Sequence, residues 1–287
     1  MAGDPLKARL VAGAQELGIA LDAVQAAALM RLLTELREWN TRFNLTAIRE
    51  PVDMVDKHLL DSLSIQPYLH GRRIADIGTG AGFPGLPLAV VNPRRQFTLI
   101  EATGKKVQFV RHAIEALRIE NVEIVQARAE TWRPLAPFDS VIARALGKLA
   151  DFIRVAGHLC ARDGRMLAMK GRHPTSEIEE LPRGWRVRDL HDLRVPGLAA
   201  ARCVVVIERV GARLDQVDLA RRSEDPDRRQ DPGAGGHDHR RHAEGVGQGT
   251  GVQRTGATER HQGEVARVDA SLDRHRSQGL LHRGVHH

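Results

Sequence analysis

The chain has 287 residues, 42% hydrophobic and only 3% aromatic, with a formal charge of +7 and a pI near 10.1. This supplies the core of one large or two small domains, argues against an interface built on base-stacking aromatics, and points to a polyanionic partner such as nucleic acid. Two isolated cysteines, Cys160 and Cys203, and the lack of a signal-like start or a long apolar run argue against a disulfide framework, a zinc site and a membrane span, so no metal and a cytoplasmic location are expected.

Apolar residues recur at helical spacing over 6–39, through Leu6, Leu10, Leu17, Leu29, Leu32, Leu33, Leu36 and Trp39. The spacing predicts two helices with a break near Gly18 to Asp22, and Asp22 suits the N-cap of the second. The run Trp39-Asn-Thr-Arg-Phe-Asn-Leu-Thr46 reads as an exit from helix into loop. A further helix is predicted over Val52 to Leu63, with Met54, Val55, Leu59, Leu60 and Leu63 in one stripe and Lys57 and His58 facing outward.

Arg73 to Gly85 then combines an apolar run, an acid and a glycine-dense turn. Ile74, Ala75 and Ile77 fit a short buried strand; Gly78, Gly80, Gly82 and Gly85 fit a turn lying close against a ligand. Leu86 to Val91 reads as helix, with Pro84 at its tolerant first turn. Gly80 to Gly85 satisfies the dinucleotide pattern G-x-G-x-x-G, which alone is weak evidence. Asp76, two residues ahead of Gly78, is expected to face the ligand, where it repels a pyrophosphate and welcomes a cation. S-adenosyl-L-methionine, with its sulfonium and ammonium, suits such a site better than NAD; the alternative is an Asp that braces the turn.

Strand and helix then alternate: strands over 97–101, 122–125, 138–143 and 164–169, helices over 104–117 and 146–160, and a closing hairpin from 185–195 and 202–210. The pattern predicts an α/β Rossmann-like fold, a mostly parallel sheet with an antiparallel edge strand, preceded by a helical extension. The expected division is a helical region over 1–70 packed on a core over 71–210. Residues 211–287 lack Lys, Ile, Met, Cys and aromatics and hold eight of the fourteen histidines. This tail is expected to be disordered, with an out-of-frame extension as the suggested origin and a metal tail through His237, His239 and His242 the lesser reading.

Ligand contacts should follow the strands at their carboxyl ends. Glu101, 21 positions past Gly80, is placed to accept both ribose hydroxyls, or else caps the next helix. In Gln126-Ala-Arg-Ala-Glu130, Ala129 would lie against adenine with Glu130 and backbone groups at its amino edge, or the run is a solvated turn. Arg144 is the candidate contact to the cofactor carboxylate or the target nucleotide, or a surface ion-pair partner. No Asp/Asn-Pro-Pro-aromatic or Pro-Cys signature follows the fourth strand, and Cys160 falls in mid-helix. A ring nitrogen such as guanine N7 needs neither a general base nor a covalent nucleophile, only alignment.

Residues 15–209 resemble the bacterial small-subunit ribosomal RNA methyltransferase G family, also called glucose-inhibited division protein B. The likeness is carried by Trp39-Asn40 with Phe43-Asn-Leu-Thr46, Lys57-His-Leu-Leu-Asp-Ser62, Asp76 to Leu88 with its double proline, Gly104-Lys-Lys106, Gln126 to Glu130, Ile142-Ala-Arg-Ala145 and Met169-Lys-Gly171. Glu101-Ala102 departs from the Asp-Ser of many members. The resemblance implies a class I methyltransferase fold and transfer of methyl from S-adenosyl-L-methionine to N7 of one guanine in 16S ribosomal RNA. It also implies cofactor contacts from Gly78, Phe83, Ala129, Glu130 and Arg144. The partner is then the small ribosomal subunit or its assembly intermediate, met by a monomer through basic residues such as Lys57, Lys105, Lys106, Lys148 and Lys170. Two other readings are an RNA-binding protein that keeps the fold without turnover and an NAD-dependent oxidoreductase.

Overall fold

The computed structural model describes residues 4–211. The expectations for the tail lie outside the described residues from position 212 onward. Helix α1 (Pro5–Glu16) starts under Asp4, whose side chain accepts the Leu6 N–H, with proline at its first position. Helix α2 (Ala23–Phe43) starts in a capping box: Asp22 accepts the Gln25 N–H at 2.7 Å while the Gln25 side chain accepts the Asp22 N–H at 3.1 Å. Its buried face, Ala26, Leu29, Leu32, Leu33, Leu36 and Asn40, keeps the three-and-four spacing of the sequence, and it runs to Phe43 before Asn44 turns left-handed.

The stretch predicted as one helix over 52–63 is three pieces: α3 (Pro51–Met54), a π-helical turn (Val55–Leu60) and α4 (Asp61–Leu63). A π turn takes one more residue than an α turn and rotates every side chain beyond it, so the apolar stripe no longer dictates which residues face out.

The rest is a seven-stranded sheet with helices between: β1 (Arg73–Ile77), α5 (Gly85–Val91), β2 (Gln96–Glu101), α6 (Gly104–Leu117), β3 (Val122–Gln126), β4 (Phe138–Arg144), α7 (Leu149–Ala156), β5 (Cys160–Lys170), α8 (Thr175–Glu179), β6 (Trp185–Asp192) and β7 (Cys203–Arg209). The order is β3-β2-β1-β4-β5-β7-β6, with β7 antiparallel to both its neighbours. The reversed strand therefore lies one in from the edge, which is β6. Strand β1 sits between β2 and β4, both parallel to it, so the chain switches direction beside the carboxyl end of β1, where a crevice opens.

Both sheet faces are covered, and the strands show it by alternation. Ile74, Ile142, Leu167, Val204 and Val206 pack with the amino-terminal helices, α5 and α6. Ala75, Val141, Ala143, Met166, Val205 and Ile207 pack on the other side with Leu149, Phe152, Ile153 and Ala156 of α7.

The helix predicted over 146–160 is shorter. It ends at Ala156 ahead of Gly157, where an added Cβ would press on the Trp185 ring at 3.0 Å; a 3-10 turn (Gly157–Leu159) follows, and Cys160 opens β5 opposite Phe138. Strand pairing has overridden a helical run, and the expectation of Cys160 in mid-helix is corrected. Its buried thiol is pushed up to about 12 by desolvation, which leaves it unreactive.

Candidate active site

Two short bonds fold the glycine turn back on the sheet: the Gly78 and Thr79 N–H groups donate to Ile100 O at 2.8 and 3.2 Å. Asp76 is fully buried beneath it. One carboxylate oxygen accepts the Thr79 hydroxyl at 2.6 Å and the Gly85 N–H at 2.8 Å; the other has no partner among the described residues. Burial pushes this carboxyl up to about 6, opposed by those two bonds. The structure places Asp76 beneath the turn, which it braces through Thr79 and Gly85. Gly85 makes that possible, since a Cβ there would come within 2.2 Å of Leu99 and 2.8 Å of Asp76.

Gly78 and Gly80 have φ of 63° and 62°, and a Cβ on Gly80 would meet no atom closer than 4.0 Å. The turn therefore shows bare backbone to open space, a cradle that a side chain would fill. Glu101, buried at the end of β2, joins this turn to the next: one oxygen accepts the Gly80 N–H at 3.0 Å, the other the Thr103 N–H at 2.8 Å. The loop after β3 is tied to the same place by Ala127 N–H donating to Glu101 O. There Ala129 is buried and Glu130 exposed, 3.8 Å from Arg128. The ends of β1, β2 and β3 thus bring Gly78, Gly80, Glu101, Ala129 and Glu130 to one rim.

A second compartment, a cavity of about 470 Å³, opens beside this rim, lined among others by Ile48, Lys57, His58, Asp61, Arg144, Met169, Lys170 and Arg202. Arg144 ends β4, lies 5.7 Å above the Phe83 ring, and donates to Lys57 O at 3.0 Å and Asp61 at 3.1 Å. The π-helical turn swings His58 inward, against the expectation that it faces out. It is buried, stacked on Phe83 at 4.6 Å, with Nε2 bonded to the Thr46 hydroxyl at 3.0 Å. Desolvation, aided by Arg144, depresses it to about 3, so the ring is neutral at physiological pH.

Of the five lysines predicted to meet RNA, Lys57 and Lys170 line this cavity, paired to Asp53 and Glu177. Lys148 pairs with Glu180, while Lys105 and Lys106 stand at the start of α6, after the β2 loop. Sequence reasoning missed Asp61, Thr46 and Arg202. Asp61, an acid within the stripe of Leu59, Leu60 and Leu63, was a readable signal; Arg202 had none. Among the described residues, no group of three or more His, Cys, Asp or Glu is placed to hold a metal, and no helix is long and apolar enough to cross a membrane.

The family model for rRNA small subunit methyltransferase G matches residues 25–205. The Ribosomal RNA small subunit methyltransferase G of Xanthomonas campestris pv. campestris (strain B100) is 50% identical over 189 residues, 66% of this chain and 89% of the relative. That of Stenotrophomonas maltophilia (strain K279a) is 47% identical over 210 residues, 72% of this chain and 99% of the relative. Among solved structures, TrmN from Thermus thermophilus matches at 22% identity with a TM-score of 0.44, over 60% of this chain and 53% of that one. On the family match and the length and identity of these alignments, the chain belongs to the rRNA small subunit methyltransferase G family.

Proposed function

We propose that this protein transfers the methyl group of S-adenosyl-L-methionine to N7 of one guanine in 16S ribosomal RNA, acting as a monomer in the cytoplasm on the small subunit or its assembly intermediate. Residues 1–70 form the helical region and 71–210 the catalytic core.

When bound, S-adenosyl-L-methionine supplies an electrophilic methyl on a sulfonium. Transfer would form the N7–carbon bond as the carbon–sulfur bond breaks, its electron pair staying on sulfur. The chain's share is to hold and align. Asp76 fixes the turn through Thr79 and Gly85, and Gly78 and Gly80 present backbone to the cofactor. Glu101, which accepts the Gly80 N–H, would hold the ribose hydroxyls, with Ala129 and Glu130 at the adenine. Phe83 walls the reacting centre below Arg144. Such alignment contributes on the order of 7–11 kcal/mol of barrier lowering when the reactants are held in line.

One observation carries the choice of N7. Of the pocket groups able to take a proton, Asp61 is held between two guanidiniums, and His58 is a buried stacked ring that desolvation depresses to about 3, which makes it a poor base. An exocyclic amine must shed a proton on methylation, and N7 has none to lose. Retention of the fold without turnover, or NAD chemistry, is separated from this reading by titration calorimetry. S-adenosyl-L-methionine should bind, NADH should not, and Glu101→Ala should weaken the cofactor by about tenfold or more, the loss of a charge-assisted bidentate contact. No binding at millimolar cofactor contradicts the proposal.

A further inference from the structure

Asp61 holds the arginine at the end of β4 by one nitrogen only. Its side chain is buried, 4% exposed, and one oxygen accepts Arg144 Nη1 at 3.1 Å. The same Nη1 donates to Lys57 O at 3.0 Å. Nε and Nη2, which share the other edge of the guanidinium, have no acceptor among the described residues. Buried Asp76 also lies near enough to feel Arg144, but its bonds go to Thr79 and Gly85. Asp61 is held in turn by a distant part of the chain: its second oxygen accepts Arg202 Nε at 3.0 Å, and Arg202 is steadied by Ala201 O at 2.9 Å.

A guanidinium meets a carboxylate best through two parallel N–H bonds. The Nε–Nη2 edge is such a pair, and Asp61 leaves it open by bonding Nη1 alone. S-adenosyl-L-methionine has a single carboxylate, so the cofactor contact implied for Arg144 has one anion to meet. We propose that Asp61 is a positioning residue for the cofactor: it pins Arg144 so that the Nε–Nη2 edge takes the cofactor carboxylate, and Arg202 keeps Asp61 from turning away.

Position, not charge, is what Asp61 adds. An acid beside an arginine lowers the local positive potential, so on charge alone Asp61 works against an incoming carboxylate. What it supplies is a guanidinium already in place, which loses less freedom when its ligand arrives. Lys57 in the π-helical turn and Asp61 directly after it provide both acceptors for Nη1, so the irregular turn is the cradle of this arginine, with the Phe83 ring beneath it. The inference deepens the proposed function and rests on its cofactor reading of Arg144; it is independent of which atom is methylated.

Two ligands that differ in that carboxylate alone provide the test: S-adenosyl-L-methionine and its decarboxylated form, which keeps the sulfonium and the amine. In titration calorimetry on the full chain, the wild type should bind the decarboxylated form about tenfold or more weakly, the scale of a charge-assisted contact. Asp61→Asn should weaken S-adenosyl-L-methionine by about tenfold and leave the decarboxylated form within about twofold of wild type. In an Arg144→Gln background the same substitution should change neither, because the two residues act as one unit. Tighter or unchanged S-adenosyl-L-methionine in Asp61→Asn, or equal weakening of both ligands, overturns the positioning role. A full additional loss in the Arg144→Gln background overturns it too, since Asp61 would then meet the cofactor itself. If Asp61→Asn does not fold by thermal melting, Arg202→Gln decides: it should narrow the discrimination between the two ligands by about threefold or more, and an unchanged ratio overturns the account. A wild type that binds both ligands equally overturns the Arg144 contact and this inference with it; one that binds neither overturns instead the proposed function.

Discussion

His58 sits in an environment far from water. Its ordinary value of 6.5 falls to about 3 because desolvation penalises the imidazolium and Arg144 stands near. A group depressed in the folded state favours folding above its unfolded value and withdraws that stability as pH falls from 6.5 toward 3. Asp76 works the other way. Raised from 3.8 to about 6 by burial, it favours folding at low pH and loses that contribution as pH rises through about 6. The two slopes oppose each other between about pH 4 and 6, so wild-type stability understates each. His58→Phe keeps a ring against Phe83 and removes one slope. Relative to wild type it should gain about 2 kcal/mol between pH 7 and pH 5 in urea unfolding, from one proton over 1.5 pH units. A constant difference between the two proteins across that range would show that His58 is not held neutral.

At the scale of elements, the part of the site that was legible lies after the parallel strands. Asp76, the glycines, Glu101 and Arg144 lie at or just past the carboxyl ends of β1, β2 and β4, and the topology alone sends such residues to one rim. What could not be read depends on departures from regular period. The π-helical turn brings His58 inward and Asp61 into the cavity, and no stripe of leucines announces it. Arg202 enters because β7 runs backward between β5 and β6, a long-range pairing that local spacing does not encode. The loop after α2 belongs to the same class. Asn40 clamps it by accepting the Thr46 N–H at 2.9 Å and donating to Thr46 O at 3.0 Å, and Thr46 in turn holds His58 and caps the Ile48 N–H. Asn40→Ala leaves two backbone groups unpaired and should cost about 1–3 kcal/mol in chemical denaturation. It should also raise KM for the RNA substrate while cofactor affinity holds, because Ile48 lines the cavity and the glycine turn does not depend on it. A variant as stable as wild type, or one that loses cofactor instead, would detach this loop from the target compartment.

Across the whole molecule, the sheet, its two covered faces and the helical region form the frame on which two compartments meet at Phe83. One compartment is bare glycine backbone rimmed by Glu101; the other is lined by arginines, lysines and the neutral, weakly basic ring of His58. Basic composition predicted a polyanionic partner without locating it, because most lysines and arginines pair with acids near them and only the three-dimensional arrangement shows which do not. The central claim is that this arrangement methylates a ring nitrogen. Its most direct test is to incubate the protein with S-adenosyl-L-methionine and unmethylated small ribosomal subunits, then map modified nucleosides in the 16S RNA by mass spectrometry. A single N7-methylguanine, absent when the cofactor is withheld, is the predicted result. Methyl on an exocyclic amine or a ribose, or no methyl on the RNA at all, would contradict it.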